Sequence, residues 1–389
     1  MKKHFRGAIK RITAIFFILA MLLSSTAVFA SLEKGDLNAD TKLNSKDLSL
    51  LQKFVLTGNA NFDLALGDLN SDSKINSKDI SALQSLVLHG SDFSLGEDPY
   101  KTFPLPENSL LQGKLIVLDA GHGIGEGGVY KDFYEHTYNL IYVKLIKESL
   151  EASGARVVLT REDDNMVDNY LRMAFLNKTA LEFLLEHYQA KLSRYDAENY
   201  EEALSLLGDI EELYRMIELM GSILENPQLK ETYFLCPYDE VNGRRIHAET
   251  EKVFRYLKDD YIQNNMLFIS IHTNAPGNPG PLSVNGTVTY YIDNEYNKEY
   301  YDEYLVENNR RLSLILLDRV SQAGGFAKKE CDTNDFFMLR ETTVPASLVE
   351  VGYHTNASDR KKILSDENRK RVANAVAVSV MEYFSISFQ

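Results

Sequence analysis

The stretch Leu115-Ile-Val-Leu-Asp-Ala-Gly-His-Gly123 decides how the chain is read. Its first four residues are apolar and half of them β-branched, which predicts a short strand buried on both faces. That strand runs straight into an acid, two glycines and a histidine. Working outward, residues 137–153 carry an amphipathic helical pattern and 156–160 read as a second strand. Residues 266–271, 287–292 and 346–351 predict three more strands, and a helix over about 366–384 closes the chain. Strands alternating with helices specify an α/β domain, a mostly parallel sheet flanked by helices. In such sheets chemistry collects at the carboxyl ends of strands. Three of these strands end in unusual residues: Asp119-Ala-Gly-His122, His272-Thr-Asn274 and Glu350-Val-Gly-Tyr353.

The chain has 389 residues, 44% of them hydrophobic, enough for one large core and a small second domain. Residues 1–30 read as a secretory signal. Lys2, Lys3, Arg6, Lys10 and Arg11 precede an apolar run from Ile12 to Leu23, and the small residues that follow end in Val28-Phe29-Ala30. The alternative is a membrane anchor, but the run is shorter than the roughly 18 to 20 apolar residues of a span. Cleavage after Ala30 removes five basic residues and takes the formal charge from -14 to about -19. So acidic a secreted or cell-surface protein is not a nucleic-acid binder, and anionic wall polymers would repel it, so that attachment calls for a specific docking device. Cys236 and Cys331 are the only cysteines; a bridge is possible, but two separate buried thiols fit better.

Residues 35–58 and 67–90 repeat one another at a period of 32, identical at 16 of 24 positions. Each copy sets oxygen-bearing side chains at positions 1, 3, 5, 9 and 12 of a loop. They are Asp36, Asn38, Asp40, Asn44 and Asp47, then Asp68, Asn70, Asp72, Asn76 and Asp79. With the backbone carbonyl of Lys42 or Lys74 at position 7, that is the spacing by which a twelve-residue loop wraps one calcium ion. Position 6 is Thr41 or Ser73 rather than glycine and position 12 is Asp rather than Glu, so an EF-hand sensor fits poorly. A helix follows each loop, with Leu48, Leu51 and Val55 or Ile80, Leu83 and Val87 on one face and Gly58 or Gly90 at its end.

These residues resemble the dockerin family over about 33–92. The resemblance implies a small α-helical domain holding two calcium ions, and a cohesin module of a scaffold protein as its partner. Dockerins read cohesin largely through loop positions 10 and 11, here Ser45-Lys46 and Ser77-Lys78, the same pair in both copies. Two nearly equivalent binding faces are implied. Calcium would also staple a domain whose roughly 60 residues bury little core.

Residues 93–112, rich in proline and without apolar period, form a linker to the second domain, residues 113–389. A single histidine proves nothing, but a catalytic zinc prefers three protein ligands such as two histidines and a carboxylate, with water in the open position. His122, His272 and a neighbouring acid could supply that set.

The second domain closely resembles the zinc-dependent N-acetylmuramoyl-L-alanine amidases. The marks stand in order: Leu118-Asp-Ala-Gly-His-Gly123, Glu135 with Asn139-Leu140, Thr160-Arg161, Arg172 with Asn177, Ser270-Ile-His-Thr-Asn274, and Pro345 with Leu348-Val-Glu-Val-Gly-Tyr353. Carried over by position, the ligands of one zinc fall on His122, Glu135 and His272, and the general base on Glu350. Two imidazoles and one carboxylate leave a net positive metal that lowers the pKa of water towards about 7. A second carboxylate off the metal must take the proton. Glu126 and His136 compete with Glu135, which is favoured by the spacing to Asn139. Asp119 either accepts a hydrogen bond from a ligand's ring N–H or caps the strand end. His354, where the family has no ligand, is assigned to the surface.

About 85 residues separate Asn177 from the strand bearing His272, where the family has a short connection. This insertion, about 178–262, is predominantly helical, with Leu204, Leu207, Ile210, Leu213 and Ile217 as its stripe and a turn at Asn242-Gly243. It is either a subdomain with its own core or a rim beside the zinc. The implied function is hydrolysis of the amide between N-acetylmuramic acid and L-alanine in peptidoglycan, with docking to a scaffold. The alternatives are a docked wall-binding module without activity, which would have no need of Glu350, and a zinc peptidase or deacetylase acting on other wall polymers.

Overall fold

The structure is a computed structural model, described for residues 34–40, 42–58, 60–69, 74–75, 79–80, 83, 110–195, 199–234, 246–276, 280–297 and 300–384. The expected signal peptide, most of the linker, Cys236, the turn at Asn242-Gly243 and, in the second loop, Asn70, Asp72, Asn76, Ser77 and Lys78 lie outside these residues. The chain divides into two compact units, one of the segment up to Lys101 with Leu192–Glu211 and one of the remainder.

In the first unit, α1 (Ser45–Thr57) follows the first repeat loop and a single helical turn, Leu64–Gly67, precedes the second. Asn44 caps α1 by a reciprocal box: its side chain accepts from the first turn while the Asp47 carboxylate accepts from the Asn44 N–H. Gly58 ends the helix in the left-handed conformation, φ 70°. Leu48, Leu51 and Leu83 are fully buried, as the repeat's apolar positions predict.

In the second unit the strands are β1 (Leu115–Ala120), β2 (Val129–Tyr130), β3 (Phe133–Tyr134), β4 (Arg156–Leu159), β5 (Met266–Asn274), β6 (Thr287–Tyr291), β7 (Lys328–Thr333) and β8 (Ala346–Tyr353). The remaining helices are α2 (Glu135–Ala152), α3 (Asn169–Leu192), α4 (Tyr200–Glu225), α5 (Ala248–Leu257), α6 (Asp260–Asn265), α7 (Val306–Gly324), α8 (Ala357–Leu364) and α9 (Asp366–Tyr383), with single turns between some of them; the residues of α4 up to Glu211 fall in the first unit. Six strands form one sheet in the order β4-β1-β5-β8-β6-β7, parallel except where β6 meets β8. β2 and β3 make a separate hairpin. The mixed, mostly parallel sheet flanked by helices is the architecture the sequence predicts.

Ile116, Leu118 and Ala120 of β1 join Leu267, Ile269 and Ile271 of β5 in one core with α2, α7 and α9. Because successive side chains alternate across a strand, Asp119 points to the other face, where Arg172 of α3 meets it at 3.1 Å. The parallel register sets Asp119 beside Ser270, Ala120 beside Ile271, and His272 beside Glu350. The unusual strand ends therefore lie along one edge of the sheet. No described helix is long and apolar enough to cross a membrane.

Three details depart from the sequence reading. β7, Lys-Lys-Glu-Cys-Asp-Thr, was not expected because an edge strand has one solvated side and need not be apolar. Cys331 on it is free and only half-buried, not fully buried. In the helical insertion Leu204 is exposed, and the buried stripe of α4 runs instead through Ala203, Leu206, Ile210, Leu213 and Ile217.

Candidate metal centre

Beyond β1 the Gly121 N–H donates to the Ile271 carbonyl at 3.0 Å, carrying the ladder one residue past the strand. His122 then takes a positive φ of 63°, rare for a residue with a side chain. Its ring meets that of His272 edge to face, centroids 4.8 Å apart. Glycine at 121 is what admits this approach, since a β-carbon there would stand 2.2 Å from His272 Cε1.

Glu135 opens α2, where a carboxylate also suits the helix dipole. Its Oε1 lies 3.4 Å from His122 Nε2 and 3.3 Å from His272 Nδ1. Its Oε2 accepts the Gly128 N–H at 2.6 Å, while its own N–H donates to the Gly128 carbonyl at 3.0 Å. One carboxylate oxygen is thus committed to the loop and the other faces both histidines. Asn139, one turn along, donates to Glu135 Oε1 at 3.4 Å and to the Gly121 carbonyl at 3.1 Å. Burial opposes the charge of Glu135, but hydrogen bonds from His122 and His272 outweigh it and hold the carboxyl well below the usual range.

The donor atoms of His122, Glu135 and His272 lie within 4.8 Å of one another, the one such group of His, Cys, Asp and Glu among the described residues. Glu126 is exposed, and His136, though buried, stands outside the group. Two imidazoles and a carboxylate oxygen, with the second oxygen held by the protein, fit zinc.

Behind the donors are two buried guanidiniums. Arg161 donates to the carbonyls of Ala120 (2.9 Å), Gly121 (3.1 Å) and His136 (2.7 Å). Arg172 donates to those of Ala120 (2.8 Å) and His122 (2.6 Å) and to Asp119 Oδ1. Asp119 also accepts from Thr160 (2.6 Å) and Ser270 (2.6 Å). Burial works against its charge, but Arg172 and the two hydroxyls keep its carboxyl below the ordinary value. Neither role expected of Asp119 is the one seen. It accepts from no histidine ring; it anchors Arg172, which holds the backbone that aims His122. Removing one partner of such a buried pair costs about 3–5 kcal/mol.

Glu350, level with His272 on the neighbouring strand, has a buried Oε2 without a hydrogen-bond partner in the protein. Burial and then the charge of Glu135 push its carboxyl well above the usual range. An unpartnered carboxylate oxygen next to the donor group can take a proton.

His354 is not on the surface as the sequence reading had it, but almost wholly buried at 1% exposure. Its ring stacks on Phe133 (4.9 Å, 13°), Nδ1 lies 3.1 Å from the Thr273 carbonyl, and Nε2 is buried without a partner. A β-carbon on Gly128 would come within 2.4 Å of it. The sequence signal was faint: the histidine directly follows a strand buried along most of its length.

In the first unit the repeat loop closes on its own acids. Asp47 Oδ1 accepts from the N–H groups of Leu37 (2.8 Å) and Asn38 (3.1 Å), and Oδ2 from that of Asn44 (3.0 Å). Asp36 Oδ1 and Asn38 Oδ1 both accept from the Asp40 N–H, and Asp40 Oδ1 from that of Lys42. Asp36 and Asp47 are both buried. This all-oxygen loop fits a hard cation such as calcium. In the second loop Asp68, Lys74 and Asp79 are described, and Asp79 is fully buried like its counterpart Asp47.

Comparison with known proteins matches residues 116–191 and 246–382 to the N-acetylmuramoyl-L-alanine amidase family. Residues 34–88 match the dockerin type I domain. An uncharacterized protein, YqiI of Bacillus subtilis (strain 168), is 22% identical over 276 residues, 70% of this chain and 86% of YqiI. N-acetylmuramoyl-L-alanine amidase LytC of the same organism is 29% identical over 118 residues, 30% of this chain but 21% of LytC. Among solved structures, the catalytic domain of CwlV, N-acetylmuramoyl-L-alanine amidase from Bacillus (Paenibacillus) polymyxa var. colistinus, aligns at 22% identity. It covers 70% of this chain and 99% of that one, with a TM-score of 0.42.

Proposed function

Since the chain belongs to the N-acetylmuramoyl-L-alanine amidase family, we propose that it hydrolyses the amide between N-acetylmuramic acid and the first L-alanine of peptidoglycan stem peptides. The observation that carries this reading is the convergence of His122, Glu135 and His272 beside Glu350. In it, His122 and His272 as neutral imidazoles and Glu135 as a carboxylate hold one zinc ion. Bound there, zinc would supply a Lewis acid that polarises the amide carbonyl and makes water acidic near neutral pH. With the charge of Glu135 offset by a cation held beside it, Glu350 is favoured in its ionised form, accepts the proton of the attacking water and delivers it to the leaving nitrogen. Arg161, Arg172 and Asp119 keep the ligand-bearing backbone fixed through both steps. Digestion of purified peptidoglycan should release free stem peptides and leave glycan strands intact, as read by mass spectrometry. Products still joined at muramic acid would refute the assignment.

The dockerin-like segment implies a second activity, docking. In this reading residues 33–92 hold two calcium ions and bind a cohesin module, attaching the secreted enzyme to a scaffold at or outside the cell surface. Two loops of paired acids repel one another without cations. Removing calcium with a chelator from the full-length protein should therefore abolish cohesin capture, while replacing Ser45-Lys46 alone should leave affinity within a few-fold. Replacing Ser77-Lys78 as well should abolish it. Titration of immobilised cohesin checks all three outcomes, and loss after the first replacement would show that a single face binds.

A further inference from the structure

The chain is strongly acidic, net -14, and its arginines are largely engaged by carboxylates, as in Arg156–Glu186, Arg172–Asp119, Arg319–Glu382 and Arg371–Glu367. Arg360, in the first turn of α8, differs. Its Nη1 donates to the carbonyls of His354 (2.9 Å) and Thr355 (3.3 Å), and its guanidinium lies over the ring of Tyr130, 4.9 Å from the centroid. Lys131 approaches the same ring, with Nζ 5.5 Å from its centroid. Lys131 holds a positive φ of 57° in the turn between β2 and β3. Among the described residues neither cation is in an ion pair, not even with Asp132, which follows Lys131 in the turn. Both are tied to segments that adjoin the metal donors. Tyr130 belongs to the hairpin that leads directly into Glu135, and the His354 ring packs on Gly128, whose N–H holds Glu135 Oε2.

From this geometry we propose that Arg360 and Lys131 form an anion subsite that receives a carboxylate of the stem peptide, on the leaving-group side of the scissile amide. The proposal rests on the amidase reading and extends it to substrate orientation. Two carbonyls and an aromatic face fix the guanidinium plane, leaving Nε and Nη2 as an oriented pair of donors that matches a carboxylate. The substrate's own chemistry chooses the side. The lactyl carboxyl of muramic acid is consumed in the amide, so the N-acetylated glycan is neutral there, while the stem peptide carries acidic residues. A cationic subsite therefore distinguishes the two halves of the substrate and sets the direction in which it lies across the zinc.

The test measures binding by calorimetry on the full-length, zinc-loaded protein, with two probes: L-alanyl-D-glutamate and the same dipeptide with both carboxyls amidated. The wild type should prefer the acid by about tenfold or more, as a charge-assisted pair predicts. R360Q should erase most of that preference without further loss for the amidated probe. K131Q, which disturbs no backbone contact, should reduce it about threefold. Zinc content and melting temperature should stay at wild-type values in K131Q, which guards against a folding defect in R360Q. Equal binding of the two probes by the wild type, or an unchanged preference in both variants, overturns the proposal. Glycerol phosphate competing as well as the dipeptide would do so too, because the subsite would then read anionic wall polymer. A wild type that binds the dipeptide selectively yet cleaves no peptidoglycan would sink the amidase reading and leave the subsite standing.

Discussion

If His122, Glu135 and His272 hold zinc as proposed, Gly121→Ala is expected to abolish zinc binding while leaving the protein folded. The added β-carbon would lie 2.2, 2.3 and 2.5 Å from Cε1, Nε2 and Nδ1 of His272, far inside van der Waals contact. Neither side can yield cheaply. Position 121 is pinned through its N–H to Ile271 and through its carbonyl to Arg161 and Asn139. The His272 ring is confined between His122 and Glu135. The ring must turn out, which removes one of three donors and parts it from Glu135 Oε1. Even disturbing the partners of a metal ligand costs 10- to 100-fold in affinity, so displacing the ligand itself should cost roughly 10²-fold or more. Hydrolysis should fall with it. Metal analysis after dialysis, alongside circular dichroism, checks this. A variant that keeps stoichiometric zinc and near-normal turnover would mean that 121 and His272 are not packed as described.

The same close packing explains which parts of the site were legible in the sequence. β1, β5 and β8 are mostly apolar, largely buried runs, and each announces itself because a single polar residue, Asp119, Ser270 or Ser347, is all that punctuates it before the site residue. His122, His272 and Glu350 were readable for that reason: each breaks such a run where a parallel sheet places chemistry. Glu135 was harder, because it starts a helix after a two-residue strand too short to carry a period. Its spacing to Asn139 and Leu140, and the helix behind that would fix it, separate it from Glu126 and His136. Asp119 was visible as a polar residue in an apolar strand, yet its partner is Arg172, 53 positions away. No local pattern encodes a pairing of that range. His354 failed differently, since its burial depends on the space left by Gly128 and the flat face of Phe133, both fixed by tertiary contact. β7 lacked any apolar signal because the sheet edge does not require one.

Within the proposed mechanism, holding the metal and moving the proton are separable, and two substitutions in the same site should part them. His272→Ala removes a donor whose Nδ1 stands 3.3 Å from Glu135. With two protein ligands left, zinc should not survive dialysis, and activity should vanish with it. Glu350→Gln leaves His122, Glu135 and His272 untouched. The amide nearly matches the carboxylate in shape, and the side chain is half-buried with no partner holding Oε2, so no hydrogen bond to that atom is lost. Removing the carboxyl also relieves its repulsion with Glu135. The variant should therefore fold at least as well as the wild type and retain stoichiometric zinc, while its rate falls about 10²-fold or more because an amide cannot take the proton. Metal content and turnover, measured on both proteins, separate the roles. If Glu350→Gln turns over normally, Glu350 is a structural residue at the end of β8 and another group must act as base. If His272→Ala keeps its zinc, the ion is held by a different set of donors.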